Sequence, residues 1–302
     1  MTAVPPFPPD GPRCVAGVPL RFEDVAEDGR LVLESLPTAL ATAVWKGLLS
    51  GSDLARIITG LGILPILSRL RMHGSSGPFS SNANVEAEGT FRFAPAADGR
   101  FKLDMWADIY APIGRTYGTV DRAGERALAG GVLAEHVLTR PFAPPGERRV
   151  TTANFAGVPG APGAGELLPS IPRFETIVAL PEGATPLEPA MRLDPFPLAF
   201  GVVHTDSNRH VNSLAYLRLF EEAALRRFVA LGRRSDVLAR TVDIAYRKPC
   251  FAGQVVRVAQ QAFEADGRLG VGAVLVTEAD AASEGSVDVA RAHAYVRLGF
   301  EG

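Results

Sequence analysis

The segment from Val211 to Phe228 most restricts what this chain can fold into, because apolar side chains fall on every side of a helix drawn through it. Its apolar members are Val211, Leu214, Tyr216, Leu217, Leu219, Phe220, Ala223, Ala224, Leu225 and Phe228. At about 3.6 residues per turn these positions leave no wide polar face, and such a helix must be enclosed by other structure. The sequence therefore predicts a helix from about Asn212 to Leu231 held inside a curled antiparallel sheet.

Two halves of the chain share one predicted layout. The first half has a predicted strand at Arg30–Leu36, a helix at Thr38–Arg71, and strands near Asn84–Phe93, Phe101–Ala111 and Arg126–Leu138. The second half has a predicted strand at Leu198–Val203, the helix already described, and strands near Thr241–Arg247, Gln254–Phe263, Gly270–Thr277 and Val289–Leu298. Ala-Asp-Gly-Arg stands at 97–100 and again at 265–268, each time between two predicted strands. Asp-Gly is a strong hairpin signal because both central residues of the turn want positive φ.

This layout predicts an α+β fold in which each half is a long helix wrapped by an antiparallel sheet, an arrangement known as the hotdog. The chain of 302 residues would then be a tandem, or double, hotdog. We expect an N-terminal hotdog domain without catalytic residues at 1–142 and a C-terminal hotdog domain with the active site at 196–302. The Pro- and Gly-rich stretch at 143–195, with a Gly/Ala/Pro run from Gly157 to Gly165, reads as a connector.

Composition excludes several classes of function. A net charge of −2 gives no electrostatic reason to expect nucleic acid or an anionic membrane as a partner. The two cysteines, Cys14 and Cys250, suggest no disulfide framework, and no Cys/His cluster has the spacing of a zinc site. The most apolar segment, Ile57 to Leu70, is too short to span a bilayer, and the N-terminus lacks the pattern of a signal peptide. We expect a cytoplasmic protein without metal or cofactor, either monomer or homodimer.

Asp206, Asn208, His210 and Asn212 fall at every second position leading into the predicted helix. On an extended approach the first three would point to one side and converge near the helix N-terminus, where unpaired N–H groups and the helix dipole favour negative charge. A carboxylate, an amide and an imidazole beside such a site are the parts needed for hydrolytic acyl transfer. The plain alternative is helix capping by Asp or Asn.

These residues carry a resemblance to a known family. Asp206-Ser-Asn-Arg-His-Val-Asn212, followed by Tyr216 and Glu222, resembles the Asp-x-Asn-x-His-Val-Asn-Asn motif of plant-type fatty acyl-carrier-protein thioesterases. A second block, Tyr246-Arg-Lys-Pro-Cys250, looks like that family's Tyr-Arg-Arg-Glu-Cys. The Asp206 position also corresponds to the catalytic aspartate of the wider hydroxybenzoyl-CoA-thioesterase group. The blocks cover about fifty residues of the second half, and the first half lacks the motif.

The resemblance implies a thioesterase acting on acyl carrier protein or CoA thioesters in fatty acid or polyketide biosynthesis. It implies that His210 helps to activate water, Asn208 positions the thioester or the water, and Asp206 orients the site. Residues expected to contribute to substrate binding are Asn212, Tyr216, Glu222 and Cys250. The chain departs from the family at Pro249, which stands where the family has a glutamate, and at Ser213, which replaces its second Asn. Since Pro cannot move a proton, the remaining groups must suffice or the chemistry must differ.

Several alternatives remain open from the residues. Cys250 fits a nucleophile and also a small buried hydrophobe. A basic cluster on and just after the predicted helix, Arg226, Arg227, Arg233 and Arg234, fits a carrier-protein or CoA contact and also solvated charges near a helix C-terminus. Hydratases and dehydratases of this fold show Asp-x-Asn-Pro-x-His, a spacing that this chain lacks. Another acyl-group chemistry, or a non-catalytic protein that binds acyl thioesters, fits Pro249 as well.

Overall fold

The structure is a computed structural model that describes residues 4–155, 167–278 and 287–302. The chain divides into two units, Ala3–Ile171 and Pro172–Gly302, each with helices and an antiparallel sheet. The α+β prediction is therefore confirmed. The boundary between the units lies inside the predicted connector, whose run from Gly157 to Gly165 lies outside the described residues. None of the helices in the described ranges is both long and apolar enough to cross a membrane.

The N-terminal unit places a helical segment against one antiparallel sheet. Its elements are β1 (Arg13–Val18), α1 (Pro37–Ala39) continued by a π-helix (Leu40–Leu49), α2 (Asp53–Gly60), β2 (Leu64–Gly74), β3 (Val85–Pro95), β4 (Phe101–Pro112) and β5 (Arg126–Thr139). The strand order is β1-β3-β4-β5-β2. Gly89 on β3 lets the π-helix approach closely, because a Cβ there would lie 2.7 Å from Ala43 Cβ and 2.8 Å from Val44 Cγ2.

Two predictions for the first half were wrong. Arg30–Leu36 is not a strand: Leu31 makes only an isolated bridge to Val25, and Leu33–Ser35 is a 3₁₀ turn. Thr38–Arg71 is not one helix, because the chain turns after Leu49 and again at Gly62, whose φ is +66°, and then runs as β2. Leu64 to Leu67 is a short apolar run, and such runs fit a helix or a buried strand equally well.

Within residues 172–278 and 287–302, the C-terminal unit is built around one long helix and four long strands. Its elements are α3 (Phe174–Val178), β6 (Thr185–Pro186), β7 (Arg192–Leu193), β8 (Leu198–Ala199), α4 (Ser213–Ala230), β9 (Leu238–Tyr246), β10 (Val255–Ala265), β11 (Arg268–Thr277) and β12 (Ala294–Glu301). The sheet order is β9-β12-β11-β10, and the short strands β6, β7 and β8 pair with the outer side of β10. The helix contacts this sheet through an edge contact of the Phe228 and Phe300 rings, 5.2 Å between centroids. It is also held by Gln260 Nε2, which donates to Ala223 O at 2.8 Å.

The helix of the second half was predicted well, and its flanks were predicted less well. Helix α4 agrees with the predicted Asn212–Leu231 to within one residue at each end. The predicted strand Leu198–Val203 shrinks to the two residues of β8, and Val202–His204 is a 3₁₀ turn. The predicted strand Val289–Leu298 begins only at Ala294, after a second 3₁₀ turn at Val289–Arg291.

The two units repeat one strand order. In the N-terminal unit it is β3-β4-β5-β2, and in the C-terminal unit it is β10-β11-β12-β9. In each unit the strand at the end of this order, β2 or β9, directly follows the helices along the chain. Both Asp-Gly turns join antiparallel strands, as predicted. At the second turn both Asp266 (φ 53°) and Gly267 (φ 72°) adopt positive φ. At the first only Gly99 does, because the pairing of Ala96 N–H with Arg100 O encloses three residues instead of two.

Candidate active site

The segment from His204 to Asn212 is a closed loop in front of α4. Its ends are joined by a hydrogen bond from Asn212 N–H to His204 O (2.8 Å) and by an antiparallel bridge between Thr205 and Val211. One step further in, Asp206 N–H donates to His210 O at 2.9 Å. His204 is held in turn, because its Nδ1 accepts from Gly201 N–H at 2.9 Å. The loop is thus fixed by its own backbone, and its tip is exposed to solvent.

Asp206 to Arg209 forms a tight turn, which corrects the prediction of an extended approach. The Asp206 carboxylate accepts from Asn208 N–H at 2.8 Å, and Asp206 O accepts from Arg209 N–H at 2.9 Å. Arg209 has a φ of +64°, a conformation that costs free energy for any residue with a Cβ. Short polar side chains compete for the backbone in this way, and an Asx turn replaces the strand. The Asp206 side chain therefore organises the turn itself.

Asn212 is the N-cap of α4. Its Oδ1 accepts from Leu214 N–H at 2.8 Å, and its backbone O accepts from Ala215 N–H at 3.0 Å. The capping alternative considered from the sequence therefore describes Asn212, whose side chain satisfies one of the unpaired donors of the first turn. Its position directly after His210 and Val211 fixes where the loop meets the helix.

His210 is exposed and lies against Phe251. The two ring centroids are 5.2 Å apart, and the planes meet at 76° in an edge contact. Within the part of the chain that the structure describes, the His210 imidazole makes no hydrogen bond, and the side chains of Asp206, Asn208 and His210 are not hydrogen-bonded to one another. The imidazole is therefore open to water, and histidine is the side chain that most often serves as a general base.

Tyr216 and Cys250, one from each of the two sequence blocks, are in contact. The Tyr216 hydroxyl accepts from Cys250 N–H at 2.8 Å, and Cys250 O accepts from Val211 N–H at 2.9 Å. The ring of Tyr216 is buried between Phe200 and Tyr246, at centroid distances of 5.9 Å and 5.6 Å. Burial raises the pKa of Tyr216 far above its ordinary value. Tyr216 thus ties the segment after β9 to the first turns of α4.

Cys250 is buried, and its sulfur faces His293. Cys250 Sγ lies 3.3 Å from His293 Nδ1, and the same nitrogen lies 3.2 Å from Pro249 O. A carbonyl only accepts, so the Pro249 contact places a proton on His293 Nδ1, and that nitrogen cannot then take a proton from the thiol. Burial also raises the pKa of Cys250, which keeps the thiol neutral. These contacts favour the buried, structural interpretation of Cys250 over that of a nucleophile.

Glu222 lies further along α4, on its exposed side. It is ten residues beyond Asn212, which corresponds to about 15 Å along a helix axis. Its side chain is 57% exposed, and Arg226 lies 3.9 Å away. Glu222 is therefore remote from the loop, although the motif places the two in one block.

The basic cluster after Glu222 is neutralised by acidic partners. Arg226 pairs with Asp194, Arg227 with Glu188, Arg233 with Glu264 and Arg234 with Asp236. The pairs at Asp194 and Glu188 each use two guanidinium nitrogens, and both carboxylates are buried. Arg226 and Arg227 thereby hold the residues that flank β7 against α4, whereas Arg233 pairs with β10 and Arg234 with a residue two positions along the chain. For Arg226 and Arg227 this is a structural role. Among the described residues, no group of three or more His, Cys, Asp or Glu side chains is placed to hold a metal ion.

Two contributors were missed from the sequence. His293 falls inside the predicted strand Val289–Leu298 and was given no role there, yet its Nδ1 lies 3.3 Å from Cys250 Sγ. Since β9 and β12 are neighbours, the residues after the end of β9 and before the start of β12 meet at the same edge, and correct strand pairing would have revealed it. Phe251, which contacts His210, carried no signal because it lies outside both motif blocks.

Comparison with known proteins supports the fold. No protein-family model matches the sequence, and no curated protein matches it. A 12:0-ACP thioesterase from Umbellularia californica is 14% identical with a TM-score of 0.56, and the match covers 98% of this chain and 99% of that one. An acyl-ACP thioesterase from Bacteroides thetaiotaomicron is 13% identical with a TM-score of 0.53, covering 96% and 98% of the two chains. The resemblance expected from the motifs is thus confirmed at the level of fold, over nearly the full length of both chains.

Proposed function

We propose that this protein is a thioesterase that hydrolyses an acyl thioester carried by acyl carrier protein or by CoA. The observation that carries the proposal is the exposed imidazole of His210 on a closed loop at the start of α4. Support comes from the full-length likeness in fold to two acyl-ACP thioesterases. The proposal covers both carriers, acyl carrier protein and CoA, and names no particular acyl group.

His210 is the general base of the proposed reaction. It takes a proton from water as the oxygen attacks the thioester carbonyl carbon, which gives a tetrahedral intermediate with its negative charge on the carbonyl oxygen. The intermediate collapses, the carbon–sulfur bond breaks, and the thiolate leaving group takes the proton from the imidazolium. The products are a carboxylic acid and a free thiol. General-base help of this kind contributes on the order of 10²–10⁴ in rate.

The remaining site residues act around His210. Asn208, exposed at the tip of the turn, positions the thioester or the water. Asp206 orients the site through the turn that it holds, and Asn212 fixes the junction of the loop with the helix. Tyr216 and Cys250 act on the substrate site by holding the loop against the segment after β9. Glu222 is assigned to the surface of α4. Since Pro249 supplies no carboxylate, we assign the proton transfer to His210.

The proposal includes the domain organisation expected from the sequence. Both units are hotdog domains, and the C-terminal one carries a single active site per chain. The repeated strand order supports this duplication. The absence of an Asp-x-Asn-x-His string from the first half of the sequence supports a single site.

Thiol release from a panel of acyl-CoA and acyl-carrier-protein substrates tests the function. We expect release of free thiol from at least one acyl chain and a loss of at least about a hundredfold in kcat for His210→Ala, with the fold intact by circular dichroism. Ser207→Ala is the matched control, because Ser207 lies exposed in the same turn. Comparing kcat/KM for one acyl chain attached to acyl carrier protein and to CoA shows which carrier the protein prefers.

Two results would overturn the proposal. One is the absence of thiol release across the panel. The other is equal activity of His210→Ala and the wild type, which would place the base elsewhere. Binding of acyl-CoA without turnover, unchanged in His210→Ala, would identify a non-catalytic protein that binds acyl thioesters.

A further inference from the structure

Phe251 is a large apolar side chain, 43% exposed, that lies directly against the exposed imidazole of His210. An exposed phenylalanine is not unusual by itself. Its partner makes it informative, since the edge contact at 5.2 Å is with the side chain assigned as the general base. Aromatic rings favour this edge-to-face geometry over random contact.

The backbone under Phe251 is fixed at several points. Phe251 N–H donates to Gln254 Oε1 at 2.8 Å, and the preceding Cys250 N–H donates to the Tyr216 hydroxyl at 2.8 Å. Two residues later, Gly253 N–H donates to Phe200 O at 2.7 Å. The phenyl ring therefore projects from a rigid segment and not from a loose loop.

His210 lacks comparable support of its own. Its backbone O is held by Asp206 N–H at 2.9 Å, which fixes where the side chain leaves the loop. The imidazole itself has no hydrogen bond within residues 4–155, 167–278 and 287–302. A base with free χ angles would spend only part of its time facing the attacking water, and orientation is a large component of catalysis.

We propose that Phe251 is a positioning residue, which holds the His210 imidazole in one orientation through the edge contact of the two rings. The inference rests on the proposed function, because it gives Phe251 a role only if His210 is the base. Phe251 takes no part in proton transfer. Its effect is on the fraction of time in which His210 faces the reacting water.

Phe251→Leu, Phe251→Tyr and Phe196→Leu form the test set. Phe196→Leu is the matched control, because Phe196 is 61% exposed in the same unit and packs over Arg226. We expect Phe251→Leu to lower kcat by about tenfold with KM within about twofold, since orientation is lost and binding is not. Phe251→Tyr keeps the ring and should retain kcat within about twofold, as should Phe196→Leu. In a His210→Ala background, Phe251→Leu should have no further effect, because the two residues act as one unit.

A second readout is independent of turnover. The ring-proton NMR signals of His210, assigned among the five histidines by their loss in His210→Ala, feel the ring current of Phe251. We expect these signals to shift in Phe251→Leu, to stay close to wild type in Phe251→Tyr, and to remain unmoved in Phe196→Leu. If the protein releases no thiol, the proposed function fails, and the NMR comparison still decides whether Phe251 orients His210.

Three outcomes would overturn the proposal. His210 signals that are unchanged in Phe251→Leu would show that the rings do not hold each other in solution. A rise in KM with kcat unchanged would make Phe251 a substrate contact. An additive loss in the His210→Ala background would mean that Phe251 acts independently of His210.

Discussion

The Tyr216 hydroxyl accepts a hydrogen bond from the backbone N–H of Cys250 at 2.8 Å, and this contact joins α4 to the segment after β9. Cys250 O also accepts a hydrogen bond from Val211 N–H, so the same residue holds the loop that carries His210. Two hydrogen bonds through one backbone unit thus fix His210 and Phe251 relative to each other. Stability and site geometry are coupled here.

Tyr216→Phe should therefore destabilise the protein by about 1–3 kcal/mol, since it leaves the buried N–H of Cys250 without an acceptor. Tyr246→Phe is the matched control: its hydroxyl donates at 3.3 Å to Ser213 O, and its loss should cost less than about 1 kcal/mol. Urea unfolding followed by circular dichroism measures both. Equal stability of the two variants would show that the Tyr216 hydrogen bond contributes no more to stability than the Tyr246 hydrogen bond.

Asp206 offers a test of whether its side chain acts through geometry or through charge. Asp206→Asn keeps an oxygen that accepts Asn208 N–H, whereas Asp206→Ala removes the acceptor that now lies at 2.8 Å. We expect Asn to preserve stability and most of kcat. Ala should cost about 1 kcal/mol, as the loss of a capping side chain does, and lower kcat further. Thiol release and unfolding midpoints provide the measurement. A collapse of kcat in Asp206→Asn with the fold intact would instead show that the negative charge is required.

Asp104, in the N-terminal unit, should make stability depend on pH. Burial raises its pKa to about 7, while Lys102 opposes the shift and Glu135 adds to it. Because the pKa in the folded state lies above the ordinary value of 3.8, the folded state holds a proton that the unfolded state releases. This contribution to stability is present below pH ~4 and falls as the pH rises to about 7.

Asp104→Asn should remove that slope and gain on the order of 2 kcal/mol relative to wild type between pH 5 and pH 8. Both tryptophans of the chain, Trp45 and Trp106, lie in this unit, so their fluorescence reports its unfolding. Asp108→Asn should change the pH dependence of stability over a lower pH range, because burial raises the pKa of Asp108 to about 6. A difference between wild type and Asp104→Asn that does not change with pH would contradict the assignment.

Gly89→Ala should loosen the contact of the π-helix with β3. A methyl group at this position would meet Ala43 and Val44 at less than 3 Å, and overpacking of this kind costs about 1–3 kcal/mol. Gly17→Ala on β1 is the control, because a Cβ there meets nothing within 4 Å. Tryptophan fluorescence again follows the unfolding. If Gly89→Ala had the same free energy of unfolding as the wild type, the π-helix would be able to move away from β3 without loss of stability.

The elements that could be predicted from the sequence are those with a strong local pattern. The length and apolar content of α4 identified it to within one residue, and β4, predicted at Phe101–Ala111, runs from Phe101 to Pro112. Strand β2 was missed because its first residues, Leu64 to Leu70, carry no period that separates a strand from a helix. Only the pairing with β5, formed across more than fifty residues, decides it.

The sequence predicted which residues form the candidate site, and the structure differs from it in the shape of the loop that carries them. The motif located His210 and Tyr216, but the Asx turn at Asp206 and the positive φ of Arg209 replaced the extended approach. Turn chemistry of Asp and Asn was the available signal. The contact of Phe251 with His210 joins residues more than forty positions apart and has no local signature.

Strand β12 is the last strand of the C-terminal unit along the chain, and it lies between β9 and β11. During synthesis the loop at His210 and helix α4 therefore emerge more than sixty residues before the strand that completes the sheet beneath them. Until Ala294–Glu301 has been made, β9 and β11 each expose an unpaired edge, which is the form of a sheet most prone to wrong pairing. Assembly of the site therefore waits for the end of this unit, and a ribosome stalled before Ala294 would hold a chain that contains the motif but has no completed sheet to support it.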